Sequence, residues 1–168
     1  MSQDIILGLY KKQARIIYGF LLKNGCSKED AEDIIQDSFI KAIRYIDGVD
    51  ANKVNSWLFT VTLNNYRNRI KRKSKIIELQ IDEKSFLDSF VSDENVDEGI
   101  LKKEKTNMVK ACLGDLKQTY RELLILKYDM ELSYKAISQL SGMSEDVVKT
   151  YLYRARMEFK KRWEECYE

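Results

Sequence analysis

The chain has 168 residues, no proline, seven glycines, 44% apolar residues and a formal net charge of +2. That length allows one domain or two small ones, and the apolar share lets each half bury a core. The charge balance excludes a protein that coats nucleic acid indiscriminately, and no catalysis, cofactor or metal is assigned: there is no histidine, no metal-ligand spacing among Cys26, Cys112 and Cys166, and no glycine-rich phosphate loop.

Five glycines (Gly25, Gly48, Gly99, Gly114 and Gly142) fall where helical patterns stop, so the chain reads as all-α. Near the N-terminus Ile5, Ile6, Leu7 and Leu9 are soon followed by Lys11, Lys12 and Arg15, and no apolar run approaches a membrane span. Neither a signal peptide nor membrane insertion is expected. The setting implied is the cytoplasm, with the cysteines as reduced, buried or incidental thiols.

The first predicted helix covers about Ser2 to Lys23, with Ile5, Ile6, Leu9, Ile16, Ile17, Phe20 and Leu21 available for a core and Gly25 ending it. Ser27 opens the second, with Asp30 placed as in a weak capping box. Ala31, Ile34, Ile35, Ser38, Phe39, Ala42, Ile43 and Ile46 form one broad stripe. Asp33, Gln36, Asp37, Lys41 and Arg44 lie on the opposite face, free to meet a partner. The run IDGVDANKVN breaks the pattern, and Asn52 or Asn55 can cap a third helix that starts near Ser56. That helix opens with Trp57, Leu58, Phe59, Val61 and Leu63, with core packing the leading role for Trp57. From Asn64 to Ile77 it carries Arg67, Arg69, Lys71, Arg72, Lys73 and Lys75 and no acid. Such a stretch can bind phosphates and stack on unpaired bases. A basic helix end that complements the helix dipole is the structural alternative.

From Glu78 the sign reverses: Glu78, Asp82, Glu83, Asp88, Asp93, Glu94, Asp97 and Glu98 face only Lys84 before Lys102. With poor periodicity, residues 76–97 read as an acidic, flexible linker between two small helical domains, 1–75 and 98–168. Phe86, Leu87, Phe90 and Val91 interrupt the acids, either as a short docking helix or as loose contacts. One helix then runs from near Glu98 to about Leu113, and another from Lys117 to Tyr128. A helix-turn-helix follows. Ser133 can cap a short helix bearing Ala136, Ile137 and Leu140, Gly142 breaks it, and Ser144 caps the next, with Glu145 and Asp146 at its positive end. Val148, Leu152, Ala155 and Phe159 make the apolar face of that last helix. Lys149, Thr150, Tyr151, Tyr153, Arg154, Arg156 and Lys160 make the rest. A basic second helix after a glycine turn is the arrangement that enters a major groove. An ordinary hairpin with a solvated basic face is the plainer reading.

The run AEDIIQDSFIKAI (31–43), then SWLFTVTLN (56–64), then the basic tail to Lys73 resembles region 2 of bacterial extracytoplasmic-function (group IV) RNA polymerase sigma factors. ELLILKY (122–128), LSYKAIS (132–138), GMS (142–144) and VKTYLYRAR (148–156) resemble their region 4. Both matches occur in the family's order and together cover most of the chain. The resemblance implies a region 2-like bundle and a region 4 helix-turn-helix domain, without enzyme activity. It implies three partners: core RNA polymerase, promoter DNA and an anti-sigma factor. The polymerase clamp would be met by Asp33, Gln36, Asp37, Ile40, Lys41 and Arg44. The loop Asp47 to Asn55 and the third helix would capture the melted −10 element, with Asn52, Asn55, Asn64, Asn65, Arg67 and Lys71 as contacts. Lys149, Thr150, Tyr151, Tyr153 and Arg154 would meet the −35 element in its major groove. The physical logic agrees, since a flipped base needs donors and stacking groups and duplex reading needs a helix in the wide groove.

Two positions and one loop depart from the family: the stretch Asp47 to Asn55 is idiosyncratic, so the −10 sequence stays open. Lys117 stands where proline usually follows the leucine that opens region 4, and Tyr151 stands where arginine is common, so the −35 preference does not carry over from relatives. The function implied is promoter-specific transcription initiation, in a stress or envelope response under anti-sigma control. A stand-alone helix-turn-helix regulator would explain the C-terminal half alone, and a protein-interaction module only the N-terminal half.

Overall fold

A computed structural model describes residues 3–73, 78–94 and 108–167, apart from the side chains of Gln3, Ile5, Ile6, Lys71, Lys73, Glu94 and Tyr167. Most of the described residues are helical, with no strand among them. The chain divides into two compact units, one of Met1–Glu78 with Ser138–Met143 and one of Leu79–Ile137 with Ser144–Glu168.

The N-terminal unit is built on α1 (Gln3–Lys23), α2 (Lys28–Tyr45) and α3 (Val54–Lys73), each packed on the other two. Gly25 adopts φ +94°, which only glycine takes without cost, and lets Cys26 N–H reach Leu21 O at 3.0 Å and Gly25 N–H reach Leu22 O at 3.0 Å. These two bonds close α1. Ser27 then caps α2 by accepting from Asp30 N at 3.1 Å. The expected α2 stripe is buried at Ala31, Ile34, Ile35, Ser38, Phe39 and Ala42, but Ile43 is 52% exposed. At about 100° per residue, Ile43 falls about 40° beyond Phe39, past the edge of the stripe. Phe20 meets Phe59, Tyr10 meets Phe39, and the Tyr66 hydroxyl donates to Asn24 O at 2.7 Å, tying α3 to the end of α1.

Helix α3 begins at Val54, two residues before Ser56, and neither asparagine caps it as expected. Asn52 sits in a 3-10 turn, Ala51–Lys53, whose cap is Asp50, and Asn55 is already helical. The Asp50 carboxylate accepts from Asn52 N at 3.0 Å, so Asp50 takes the capping role here and Asn52 lies inside the turn. Trp57 is half-buried, beside the fully buried Leu58 and Phe59.

The C-terminal unit corrects the linker expectation. Residues 83–94 form a helix, α4 (Glu83–Glu94), not a flexible tether. Asp82 accepts from Ser85 N at 3.0 Å, and Leu79, Ile81, Phe86, Leu87 and Phe90 are buried. The acids dominate the composition, but Phe86, Leu87 and Phe90 share one helical face that finds partners elsewhere in the unit. Residues 76, 77 and 95–97 of the expected linker lie outside the described residues, as does the start of the helix expected from Glu98.

The unit continues with α5 (Val109–Gly114), α6 (Gln118–Leu124), a π-helical turn (Ile125–Asp129), the first half of α7 (Tyr134–Ser141), up to Ile137, and α8 (Glu145–Tyr167). The π turn is closed by Met130 N–H on Ile125 O at 2.9 Å. Its aromatic core joins α4, the π turn and α8: Phe90 lies 5.0 Å from Phe159 and 5.2 Å from Tyr128, and Phe159 lies 5.9 Å from Trp163, centroid to centroid. Cys112 is buried, Cys26 half-buried and Cys166 exposed. Burial, reinforced by nearby Cys166 and Asp115, pushes the Cys112 thiol up to about 12, so it stays neutral and unreactive at ordinary pH.

Candidate nucleic-acid interface

The helix-turn-helix forms from local bonds. The Ser133 hydroxyl accepts from Ala136 N at 3.0 Å and caps α7. Gly142 takes φ +79° and donates to Ser138 O at 2.9 Å, ending it. The Ser144 hydroxyl accepts from Val147 N at 3.2 Å and starts α8. Val148, Leu152, Ala155, Phe159 and Trp163 then turn inward, all nearly inaccessible.

That inward face forces the outward one. Lys149, Thr150, Tyr153 and Arg154 are exposed, and Tyr151 is half-buried. Lys149 and Tyr153 stand one turn apart, as do Thr150 and Arg154, so all four share one side of α8. The Thr150 hydroxyl donates to Asp146 O at 2.9 Å, which leaves its oxygen as an acceptor outward. Arg154 lies over the Tyr151 ring at 5.9 Å. Arg156, expected on the same surface, instead donates to the Tyr128 hydroxyl at 3.3 Å. The Tyr128 phenol in turn donates to Asp93 at 2.7 Å, and burial together with that carboxylate holds it well above its ordinary range, fully protonated.

Two residues join this surface that sequence reasoning missed. The Tyr134 ring lies 5.6 Å from the Lys149 ammonium and 4.5 Å from that of Lys127. The ring therefore positions two cations from different elements. Neither local pattern nor spacing reveals a set drawn from the π turn, α7 and α8; only the fold assembles it.

In the N-terminal unit, Asp33, Gln36, Asp37, Ile40, Lys41 and Arg44 are all exposed on α2, as expected. Asp33 and Asp37 are not free, however. Arg69 of α3 reaches Asp37 at 3.2 Å, Asp30 at 3.5 Å and Asp33 at 3.8 Å. Arg69 and Asp30 are half-buried while Asp33 and Asp37 are exposed, so solvent screens each pair and each is worth little alone, but one guanidinium holds three carboxylates of α2 in place. A groove between α2 and α3 brings Asp37, Ile40, Lys41 and Arg44 together with Asn65 and Arg69. Gln36 lies apart, in a second groove with Tyr10, Arg15 and Tyr18 of α1.

The residues expected at melted DNA are likewise divided. Asn52, Asn55 and Asn64 are exposed, while Asn65 and Arg67 are half-buried. Helical spacing puts Asn64 and Arg67 on one side of α3 and Asn65 on the side that lines the α2 groove. The side chain of Lys71 lies outside the described residues. Among the described residues there is no cluster that could hold a metal, and no helix is long and apolar enough to cross a membrane.

Comparison with known proteins matches both halves. The family model of Sigma-70 region 2 matches residues 9–76, and that of Sigma-70, region 4 matches residues 106–159. The chain is 30% identical to the ECF RNA polymerase sigma factor SigM of Bacillus subtilis over 152 residues, covering 90% of this chain and 91% of SigM. It is 29% identical to the RNA polymerase sigma factor YlaC of the same organism, covering 95% and 92%. Among solved structures, the sigma factor RpoE of Bartonella quintana, in complex with the anti-sigma factor NepR, shares the fold with a TM-score of 0.56 at 17% identity, covering 97% of this chain and 98% of that one. A three-helix unit with a basic third helix, a capped helix-turn-helix and these matches along nearly the whole length lead to one assignment: the chain belongs to the extracytoplasmic-function family of RNA polymerase sigma factors.

Proposed function

We propose that this protein is the promoter-recognition subunit of a bacterial RNA polymerase, acting in the cytoplasm. The observation that carries the reading is α8, whose caps and apolar face leave Lys149, Tyr153 and Arg154 on one open side, with Lys127 and Tyr134 beside them. In this reading the surface around Lys149, Thr150, Tyr151, Tyr153 and Arg154 meets the −35 duplex, and Lys127 adds a phosphate contact. Asn52, Asn55, Asn64, Asn65, Arg67 and Lys71 take the melted −10 strand. Asp33, Gln36, Asp37, Ile40, Lys41 and Arg44 meet the polymerase. An anti-sigma factor, as accompanies the Bartonella quintana sigma factor, covers these surfaces when transcription is off. The deciding experiment is run-off transcription with purified core polymerase. Promoter-specific initiation by core plus this chain supports the reading; a requirement for another sigma factor supports the stand-alone regulator.

Two mutations test the N-terminal assignments. Asp37→Arg is expected to weaken core association by about 2–3 kcal/mol through charge reversal at the interface. Because it also breaks the Arg69 pair, Ile40→Asp, at a 55% exposed position, is measured beside it by co-purification. Retention of core by both variants would remove this face from the interface. Asn64→Ala with Arg67→Ala is expected to slow promoter opening more than it lowers duplex affinity. A pre-melted bubble template should then restore transcription in part, and no rescue would place the defect elsewhere.

A further inference from the structure

Helix α4 lies outside the region 4 match, which begins at residue 106. It is held to the C-terminal unit by Phe86, Leu87 and Phe90 and by Asp93, which accepts the Tyr128 hydroxyl at 2.7 Å. A helix of twelve residues is marginal alone in water, so its helical state depends on docking. Docking buries Phe86, Leu87 and Phe90 almost completely, so α4 leaves the unit only when another surface covers those side chains.

The polar edge of α4 is what gives that release a consequence. Asp88 and Asp93 line one wall of a groove of about 600 Å3, and Lys127, Tyr128 and Glu131 line the other. Lys127 is also the ammonium 4.5 Å from the Tyr134 ring, beside Lys149. The acids of α4 therefore share a groove with one end of the cationic surface proposed to meet DNA. A phosphate approaching Lys127 meets those carboxylates, and like charges at this range repel.

We propose that α4 is an autoinhibitory latch: docked, it holds acidic charge beside Lys127 and keeps the DNA-facing surface of the C-terminal unit weak; displaced, it releases that surface. The proposal rests on the reading of α8 as the duplex-facing helix. It predicts that the free chain binds DNA weakly because of a specific intramolecular contact, which a partner that covers the α4 phenylalanines can relieve.

The test uses the full chain and a short, fluorescein-labelled, random-sequence DNA duplex, read by anisotropy at low and high salt. Asp88→Asn with Asp93→Asn leaves the aromatic core in place and is expected to tighten binding about three- to tenfold at low salt, with the gain fading at high salt. Glu164→Gln with Glu165→Gln makes the same charge change on an exposed part of α8 and is expected to gain less than twofold. Joining Ser92→Cys to Glu131→Cys with a short bis-maleimide, in a chain whose native cysteines are serine, is expected to weaken binding relative to the same variant before it is joined. Equal gains from the two amide pairs would overturn the latch, as would wild-type affinity of the Asp88 and Asp93 variant. Lys149→Ala separates the two readings. If it weakens binding while the α4 variants change nothing, the latch fails and the assignment of α8 stands; if it too changes nothing, the assignment of α8 fails first.

Discussion

Phe159→Ala is expected to destabilise the protein by about 3–5 kcal/mol, the range for removing a large aromatic from a packed core. Phe159 is inaccessible and its ring touches three others, Phe86, Phe90 and Trp163, at 5.7, 5.0 and 5.9 Å. It is the residue through which α4 and the last helix share one core. Truncation removes the wall against which both α4 phenylalanines rest, and neither can follow without leaving Tyr128. Urea denaturation followed by circular dichroism and, in a Trp57→Phe background, by the fluorescence of the buried Trp163 measures the effect. A loss under about 1 kcal/mol would mean that the site repacks freely and that α4 is not seated as described.

The second large effect concerns promoter reading. Lys149→Ala and Arg154→Ala should each reduce transcription from a promoter that depends on its −35 element, while core binding stays normal. A cation paired with a guanine edge contributes about 1–3 kcal/mol of discrimination, or about five- to 150-fold in affinity for the right base. A cation on a phosphate instead weakens all sequences alike and lowers the salt slope by about one. Lys149 shares the Tyr134 ring with Lys127, so it is placed for a phosphate, whereas Arg154 stands one turn beyond Thr150 on the open side of α8. Arg154→Ala is therefore expected to alter which −35 base is preferred, and Lys149→Ala to flatten the salt dependence. Wild-type transcription by both variants across a range of salt would show that α8 is not the reader.

How much of this was legible beforehand depended on the range of the interaction. Ser27, Ser133 and Ser144 act on donors three residues away, and Gly25 and Gly142 bend the chain where they stand, so helix ends could be read from neighbours alone. The inward face of α8 followed from spacing. The reading failed where composition hid placement. Eight acids between Glu78 and Glu98 suggested a solvated tether and left a docking helix at Phe86, Leu87, Phe90 and Val91 as one of two options; that helix forms because Phe86 and Phe90 find Tyr128 and Phe159 dozens of residues away. Arg69 looked like one more cation in a nucleic-acid stripe, but three carboxylates of α2 claim it. Tyr134 looked like an ordinary helix residue until the fold brought Lys127 and Lys149 to its ring.

The π turn at Ile125–Asp129 acts as a phase setter. An α-helix advances about 100° per residue, so one surplus residue in a turn rotates everything after it by roughly that angle. With the wider turn, Leu123, Leu124, Ile125, Leu126 and Tyr128 are all buried while Lys127 keeps its ammonium at the Tyr134 ring. Shortening this segment by a single residue would restore ordinary helical bonding and set the two faces out of step. Tyr128 would swing from Asp93 and Arg156, and Lys127 from Tyr134. The length of this stretch, as much as its composition, aligns the buried side of the C-terminal unit with its charged side.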